Sequence, residues 1–151
     1  MLMGSGMDTG PILARMQIPI SVRDTTGSLT AKLSRIAAQS LLEAGADVVA
    51  TGCDSPAPIV AAAQAKKWGI GYDSMNACAA APDSCLTATY WEWGPTYAKV
   101  MAEIRAGTWR PSDLYPDADS GLVALLGFEE GQVPARGIPE DAVAWIREKH
   151  A

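Results

Sequence analysis

This 151-residue sequence is short of the groups on which most metal and nucleophile chemistry depends. It holds a single histidine, His150, one residue from its end. Its three cysteines, Cys53, Cys78 and Cys85, form an odd set with no Cys-x-x-Cys pair. That spacing fits neither a disulfide framework nor a zinc site, so reduced, partly buried thiols in a cytoplasmic protein are expected. The acidic residues around 113–130 show no metal-ligand spacing and read as a solvated loop. No metal and no cofactor are therefore expected. Gly4, Gly6 and Gly10 do not make G-x-G-x-x-G, and no strand precedes them, which argues against a dinucleotide site. No apolar run approaches the length of about 20 residues needed to span a bilayer. The N-terminus also lacks the basic region and apolar core of an export signal. No internal repeat, coiled coil or low-complexity tract is present. A cytoplasmic protein with no membrane role is the expectation.

What is present reads as globular. Hydrophobic residues make up 48% and charged residues 19%, enough apolar content for a core and too little charge for a disordered chain. Twelve basic and seventeen acidic side chains leave a formal charge of −5, which argues against non-specific nucleic-acid binding and suits a basic partner. The charge is unevenly spread. Residues 1–43 hold four basic and three acidic groups, so the remainder carries −6.

The stretch from Asp47 to Ser74 organises the chain. Val48-Val49-Ala50 is an apolar run suited to a buried strand. Ser55 can cap a helix and Pro56 fits its first turn, with small and apolar residues following from Ala57 to Ala65. Gly69 is expected to end that helix and Ile70-Gly71-Tyr72 to resume an extended path. The result is a βαβ unit, with Thr51 to Ser55 and Asp73 to Asn76 beyond the carboxyl ends of its strands, where α/β ligands commonly sit.

Around this unit, Pro11 to Ile20 is expected to be extended. Asp24 to Ser28 forms a turn and cap, and from Leu29 the residues Leu33, Ile36, Ala37 and Leu41 follow helical spacing up to a stop at Gly45. After Asp73, Met75 to Ser84 reads as loop or short turns, and Cys85 to Trp91 as a third strand. Gly94-Pro95 opens a helix with Tyr97, Val100, Met101 and Ile104 on one face, closed by Gly107. Leu122 to Leu126 is a short strand, and Pro139 opens a last helix whose Val143 and Ile146 face inward. Alternating strands and helices point to an α/β fold, a single three-layer domain with a mostly parallel sheet.

Two blocks of residues resemble two unrelated families. Met7-Asp8-Thr9-Gly10-Pro11-Ile12-Leu13, Ile18-Pro19-Ile20 and Asp24-Thr25-Thr26-Gly27-Ser28-Leu29 make residues 1–43 similar to methionyl-tRNA formyltransferases. In that family the aspartate of Asp-Thr-Gly helps transfer a formyl group from a folate carrier, and Asp8 matches it. The asparagine and histidine that should accompany it have no counterpart here. Residues 45–150 resemble the basic membrane lipoprotein type of substrate-binding proteins that feed ABC transporters. The resemblance runs through Gly45-Ala46-Asp47-Val48, Asp54-Ser55-Pro56-Ala57-Pro58, Gly71-Tyr72-Asp73-Ser74, Trp93-Gly94-Pro95, Gly107-Thr108-Trp109, Ser120-Gly121-Leu122-Val123 and Ile138-Pro139-Glu140-Asp141. It implies a periplasmic-binding-protein-like lobe that takes nucleosides or other small metabolites in a cleft between two lobes. It further implies that Asp73 holds a ligand hydroxyl, that the loop around Asp54 and Ser55 lines the cleft, and that Trp91 or Trp93 flanks it. The chain thus reads as a chimera with its seam near Glu43-Ala44-Gly45.

Each candidate residue also has a plainer reading. Asp8 without partners is a turn aspartate, since acid–base work needs positioned groups within hydrogen-bond reach. Asp54-Ser55 is a helix cap before it is a ligand contact. Trp91 and Trp93 alternate with Glu92 and should share a strand face, where packing is the default. No complete set of nucleophile, base or metal ligands is present, so no enzymatic activity is expected. The function expected is a non-enzymatic binding lobe for a nucleoside-like small molecule, with Asp54, Ser55, Asp73, Trp91 and Trp93 as its site. The alternatives are an acidic interaction protein, such as an antitoxin or inhibitor of a basic partner, and a residual formyltransferase fragment. A half-cleft closing on a second copy makes a homodimer an expectation too.

Overall fold

A computed structural model of the chain describes residues 5–6, 9–117, 119–129, 131–132 and 137–150; Asp8 lies outside them. Four strands form one sheet in the order β1-β2-β3-β4: β1 Val48–Ala50, β2 Trp68–Gly71, β3 Cys85–Trp91 and β4 Val123–Leu125. The first three run parallel and β4 pairs antiparallel with β3. The helices are α1 Thr26–Glu43, α2 Ala57–Gln64, α3 Trp93–Ala106 and α4 Glu140–His150. This is the mostly parallel α/β sheet that the alternation of elements implied.

The βαβ unit forms, but its parts sit earlier than their sequence signals. Helix α2 stops at Gln64, and Lys66 (φ 57°) makes the left-handed turn into β2. Gly69 is therefore a strand residue and not a helix stop. A Cβ added there would stand 3.0 Å from Ile59 Cγ2, so the missing side chain is what lets α2 lie on the sheet. Strand β1 is the sheet edge, and only its middle residue, Val49, is buried; Val48 is 42% exposed, against the expectation of a fully buried run.

Helix α1 begins three residues before Leu29. Thr25 is its N-cap, accepting from the Ser28 N–H at 3.3 Å while Ser28 Oγ accepts from the Thr25 N–H at 3.0 Å. Its end is a Schellman motif: the N–H groups of Gly45 (φ 95°) and Ala46 donate to the carbonyls of Leu42 and Leu41, both at 3.0 Å. The buried face of α1 is not its apolar stripe. Ser34 and Ala38 turn inward, and Ala38 packs with Val49, Ala61 and Ala62. Leu33 and Leu41 remain 50% and 43% exposed. Small side chains allow α1 and α2 to approach closely, a tertiary demand that periodicity does not register. The segment 11–20 joins no strand; Leu13 and Met16 instead flank the outer side of α1 beside Leu33 and Ile36.

On the opposite sheet face α4 stands off from β2, β3 and β4. A cavity of about 490 Å³ separates them, lined by Ile70, Leu86, Leu125, Phe128, Trp145 and Ile146. Val143 and Ile146 are half-buried, as their spacing implied. Helix α3 ends as expected at Gly107, left-handed at φ 69°, but it buries no residue. Tyr97, Met101 and Ile104, the face read from the sequence, are 62%, 57% and 50% exposed.

The cysteines overturn the expectation of reduced thiols. Cys78 and Cys85 are joined in a disulfide, and only Cys53 is free and exposed. The connection from β2 to β3 folds into two 3₁₀ turns, Ala77–Ala80 and Pro82–Ser84, which carry Cys78 back to the first residue of β3 with the two Cα atoms 5.4 Å apart. Spacing alone does not reveal that fold-back.

Candidate functional site

Because β1, β2 and β3 are parallel, their carboxyl ends share one edge of the sheet. Three loops meet there: Thr51 to Pro56 after β1, Tyr72 to Asn76 after β2, and the junction at Glu92 after β3. The first two enclose a cleft of about 240 Å³, bounded by Asp54, Ser55, Tyr72, Asp73, Ser74 and Asn76, with Pro56 and Ala77 completing its wall. Asp54, Ser55 and Asp73 are thus brought together.

The local backbone explains how each residue is held. Ser55 Oγ accepts from the Ala57 N–H at 3.2 Å, so it satisfies a donor at the head of α2 while facing the cleft. Ahead of it, the Ser55 N–H donates to the Cys53 carbonyl at 2.7 Å, tightening the turn that presents Asp54. Asp73 adopts the left-handed conformation (φ 63°), which aspartate tolerates better than most residues. Just beyond it, Ser74 Oγ accepts from the Asn76 N–H at 3.1 Å and the Ser74 carbonyl from the Ala77 N–H at 3.0 Å. Among the described residues no cation pairs with Asp54 or Asp73, so the cleft presents two carboxylates without a fixed counter-ion.

The tryptophans are arranged differently from their expected placement on one strand face. Trp91 ends β3 and Trp93 begins α3, with Glu92 as the corner between them; the Glu92 N–H donates to the Leu122 carbonyl at 2.7 Å. The two rings still meet, with centroids 6.2 Å apart and planes tilted by 31°. Trp93 stacks on Tyr97 one turn later, at 5.7 Å and 17°. Trp91 donates its indole N–H to Asp73 Oδ1, which ties the aromatic group to the cleft. Tyr72 and Ala77 as wall residues, and the Trp91–Asp73 bond itself, escaped the sequence reading. Tyr72, next to Asp73 at a strand end, was the one signal that could have suggested part of this.

Among the described residues no group of three or more His, Cys, Asp or Glu is placed to hold a metal ion. Among its described residues the acidic loop is locally committed. Asp117 Oδ1 accepts from the Ser120 N–H at 3.2 Å, and Ser120 Oγ accepts from the Asp117 N–H at 2.8 Å. Among the described residues no helix is long and apolar enough to cross a membrane.

The chain is similar to two kinds of protein over different segments. It is 30% identical over 113 residues to a purine-binding protein of Brucella abortus, covering 74% of this chain and 31% of that protein. A putative ABC transporter glucose-binding protein of Haloferax volcanii is 28% identical over 92 residues, 61% of this chain and 23% of the other. A methionyl-tRNA formyltransferase of Ectopseudomonas mendocina is 48% identical over 44 residues, 29% of this chain and 14% of the enzyme. The chain therefore spans a third or less of each of these relatives. No family model matches it. Among solved structures, a transcriptional activator of the comK gene from Bacillus halodurans superposes with a TM-score of 0.66 at 20% identity, over 80% of this chain and 41% of that one. At that identity the likeness concerns the fold alone.

Proposed function

We propose that this chain is a non-enzymatic binding lobe whose cleft takes one side of a nucleoside-like small molecule. The observation that carries this reading is the convergence of Asp54, Ser55 and Asp73 on one cleft at the carboxyl ends of parallel strands, the usual ligand position in such sheets. Similarity to a purine-binding protein supports the choice of ligand class, and similarity to a second binding protein supports binding without chemistry. Asp73 accepts a hydroxyl of the ligand, the Asp54-Ser55 turn faces it from the other loop, and the Trp91–Trp93 group adjoins it.

Size indicates how tightly the lobe holds its ligand. Sites that enclose drug-sized ligands have volumes of roughly 300–1,000 Å³. The cleft here, about 240 Å³ and open, covers one side only. A dissociation constant of about 0.1–1 mM is the expected scale for such partial burial. Titration with purine nucleosides, followed by calorimetry or NMR, tests this: saturable binding weakened by Asp73→Asn supports it. Absence of binding at several millimolar ligand overturns it.

The disulfide supports residence in an oxidising compartment in place of the expected cytoplasm. The exposed Tyr97, Met101 and Ile104 favour a second, compatible reading, in which another copy of the chain covers α3. Light scattering of a purified sample decides it, a monomer at every concentration counting against the dimer.

A further inference from the structure

Asp54 and Asp73 face the same cleft, but only one of them is anchored. Asp54 is exposed, and its carboxylate makes no hydrogen bond among the described residues. Asp73 is half-buried, sits on a left-handed backbone, and has Oδ1 occupied by the Trp91 indole N–H. The bond joins two neighbouring strands at their carboxyl ends. Gly71 pairs with Ala88, so Asp73, two residues beyond Gly71, comes level with the end of β3. Asp73 keeps Oδ2 as its uncommitted acceptor.

We infer that Trp91 is a positioning residue for Asp73 and not a stacking surface for the ligand. Its indole N–H holds Oδ1 and leaves Oδ2 to accept a ligand hydroxyl, which makes the Trp91–Asp73 pair the determinant of preference for hydroxyl-bearing ligands over free bases. The inference rests on the nucleoside reading of the cleft. Indole is suited to the task because Nε1–H is a donor only and cannot compete for the ligand's hydroxyl proton. A carboxylate pinned before binding loses less rotamer freedom on capturing that hydroxyl, which is how a supporting side chain adds affinity without touching the ligand. Trp93 does not line the cleft and stacks instead on Tyr97.

Trp91→Phe separates positioning from stacking, because it removes the N–H and keeps an aromatic ring. Positioning predicts that the variant binds adenosine about three- to tenfold more weakly, the cost of ordering one freed side chain on binding, with adenine binding within about twofold of wild type. Equal loss for both ligands, or no loss for adenosine, overturns the inference. An independent readout needs no ligand. The chain has five tryptophans, and the indole N–H resonance that disappears in Trp91→Phe is expected to be the one displaced in Asp73→Asn. A resonance that stays in place refutes the anchoring bond. If that resonance is displaced in Asp73→Asn but the wild-type protein binds neither ligand, the nucleoside reading is overturned, and Trp91's role toward a ligand with it, while the Trp91–Asp73 bond stands.

Discussion

Ala77 stands directly on Gly71. A Cβ added to Gly71 would lie 2.6 Å from Ala77 Cβ and 2.9 Å from Ala88 Cβ, closer than non-bonded carbons approach. The last residue of β2 is thus a seat for the turn that forms one wall of the cleft, and the wall's position depends on a missing side chain.

Gly71→Ala is accordingly expected to destabilise the fold by about 1–3 kcal/mol, the usual cost of overpacking, because both contacts are with short side chains that cannot swing away. Its effect on the cleft follows from the same displacement of Ala77. Urea unfolding measures the first and nucleoside titration the second. A variant as stable as wild type would show that the turn is free to move.

The disulfide makes a second prediction. Unfolded without reductant, the chain should present one titratable thiol, that of Cys53, and after reduction all three. Releasing so short a loop is expected to cost roughly 2–3 kcal/mol by chain entropy. The tether also lies one residue beyond Ala77, so reduction loosens the cleft wall before it unfolds the sheet. Three thiols titrating before reduction would disprove the bond.

Asp24 sets a pH dependence at the start of α1. Its carboxylate accepts from Lys32 Nζ at 2.6 Å, from the Ser21 N–H at 2.8 Å and from Ser28 Oγ at 2.9 Å. Led by the lysine, these bonds lower its pKa from 3.8 to about 2. A group whose folded pKa is depressed stabilises the fold above its unfolded value, and that contribution is lost as pH falls through the folded value. The stability difference between wild type and Asp24→Asn should therefore be constant above about pH 5 and shrink between about pH 4 and pH 2. Chemical denaturation across that range checks it, and a difference that grows on acidification contradicts the assignment. Asp47, lowered by its bond to Lys67, acts in the same direction at the start of β1.

Much of the framework could be read from local chemistry. The Val48–Ala50 strand, the helix after Ser55, the Cys85–Trp91 strand and the stops at Gly45 and Gly107 each follow from residues within a turn or two of one another. So does the position of the cleft, because parallel strands place their following loops on a common edge and Asp54, Ser55 and Asp73 occur in those loops. The likeness to two kinds of protein was legible as well, since short motifs in order survive in sequence whatever the fold does with them.

Other features depended on contacts between residues far apart in the chain. Gly69 has the local signature of a helix stop, and only the approach of Ile59 explains it as a strand residue. Leu33 and Leu41 mark the apolar stripe of α1, yet the neighbouring α2 selects Ser34 and Ala38, because close helices favour small side chains over large ones. Cys78 and Cys85 pair because two 3₁₀ turns fold back on β3, and Trp91 finds Asp73 because the residues that follow β2 run beside the last residues of β3. By itself the sequence determined which segments are strands and helices and which loops carry the acidic residues, since propensity, caps and turns act over a few residues. The tertiary structure alone decided which face of α1 is buried, which cysteines join and which carboxylate is held. Those outcomes are set by distances between elements, and no local pattern encodes them.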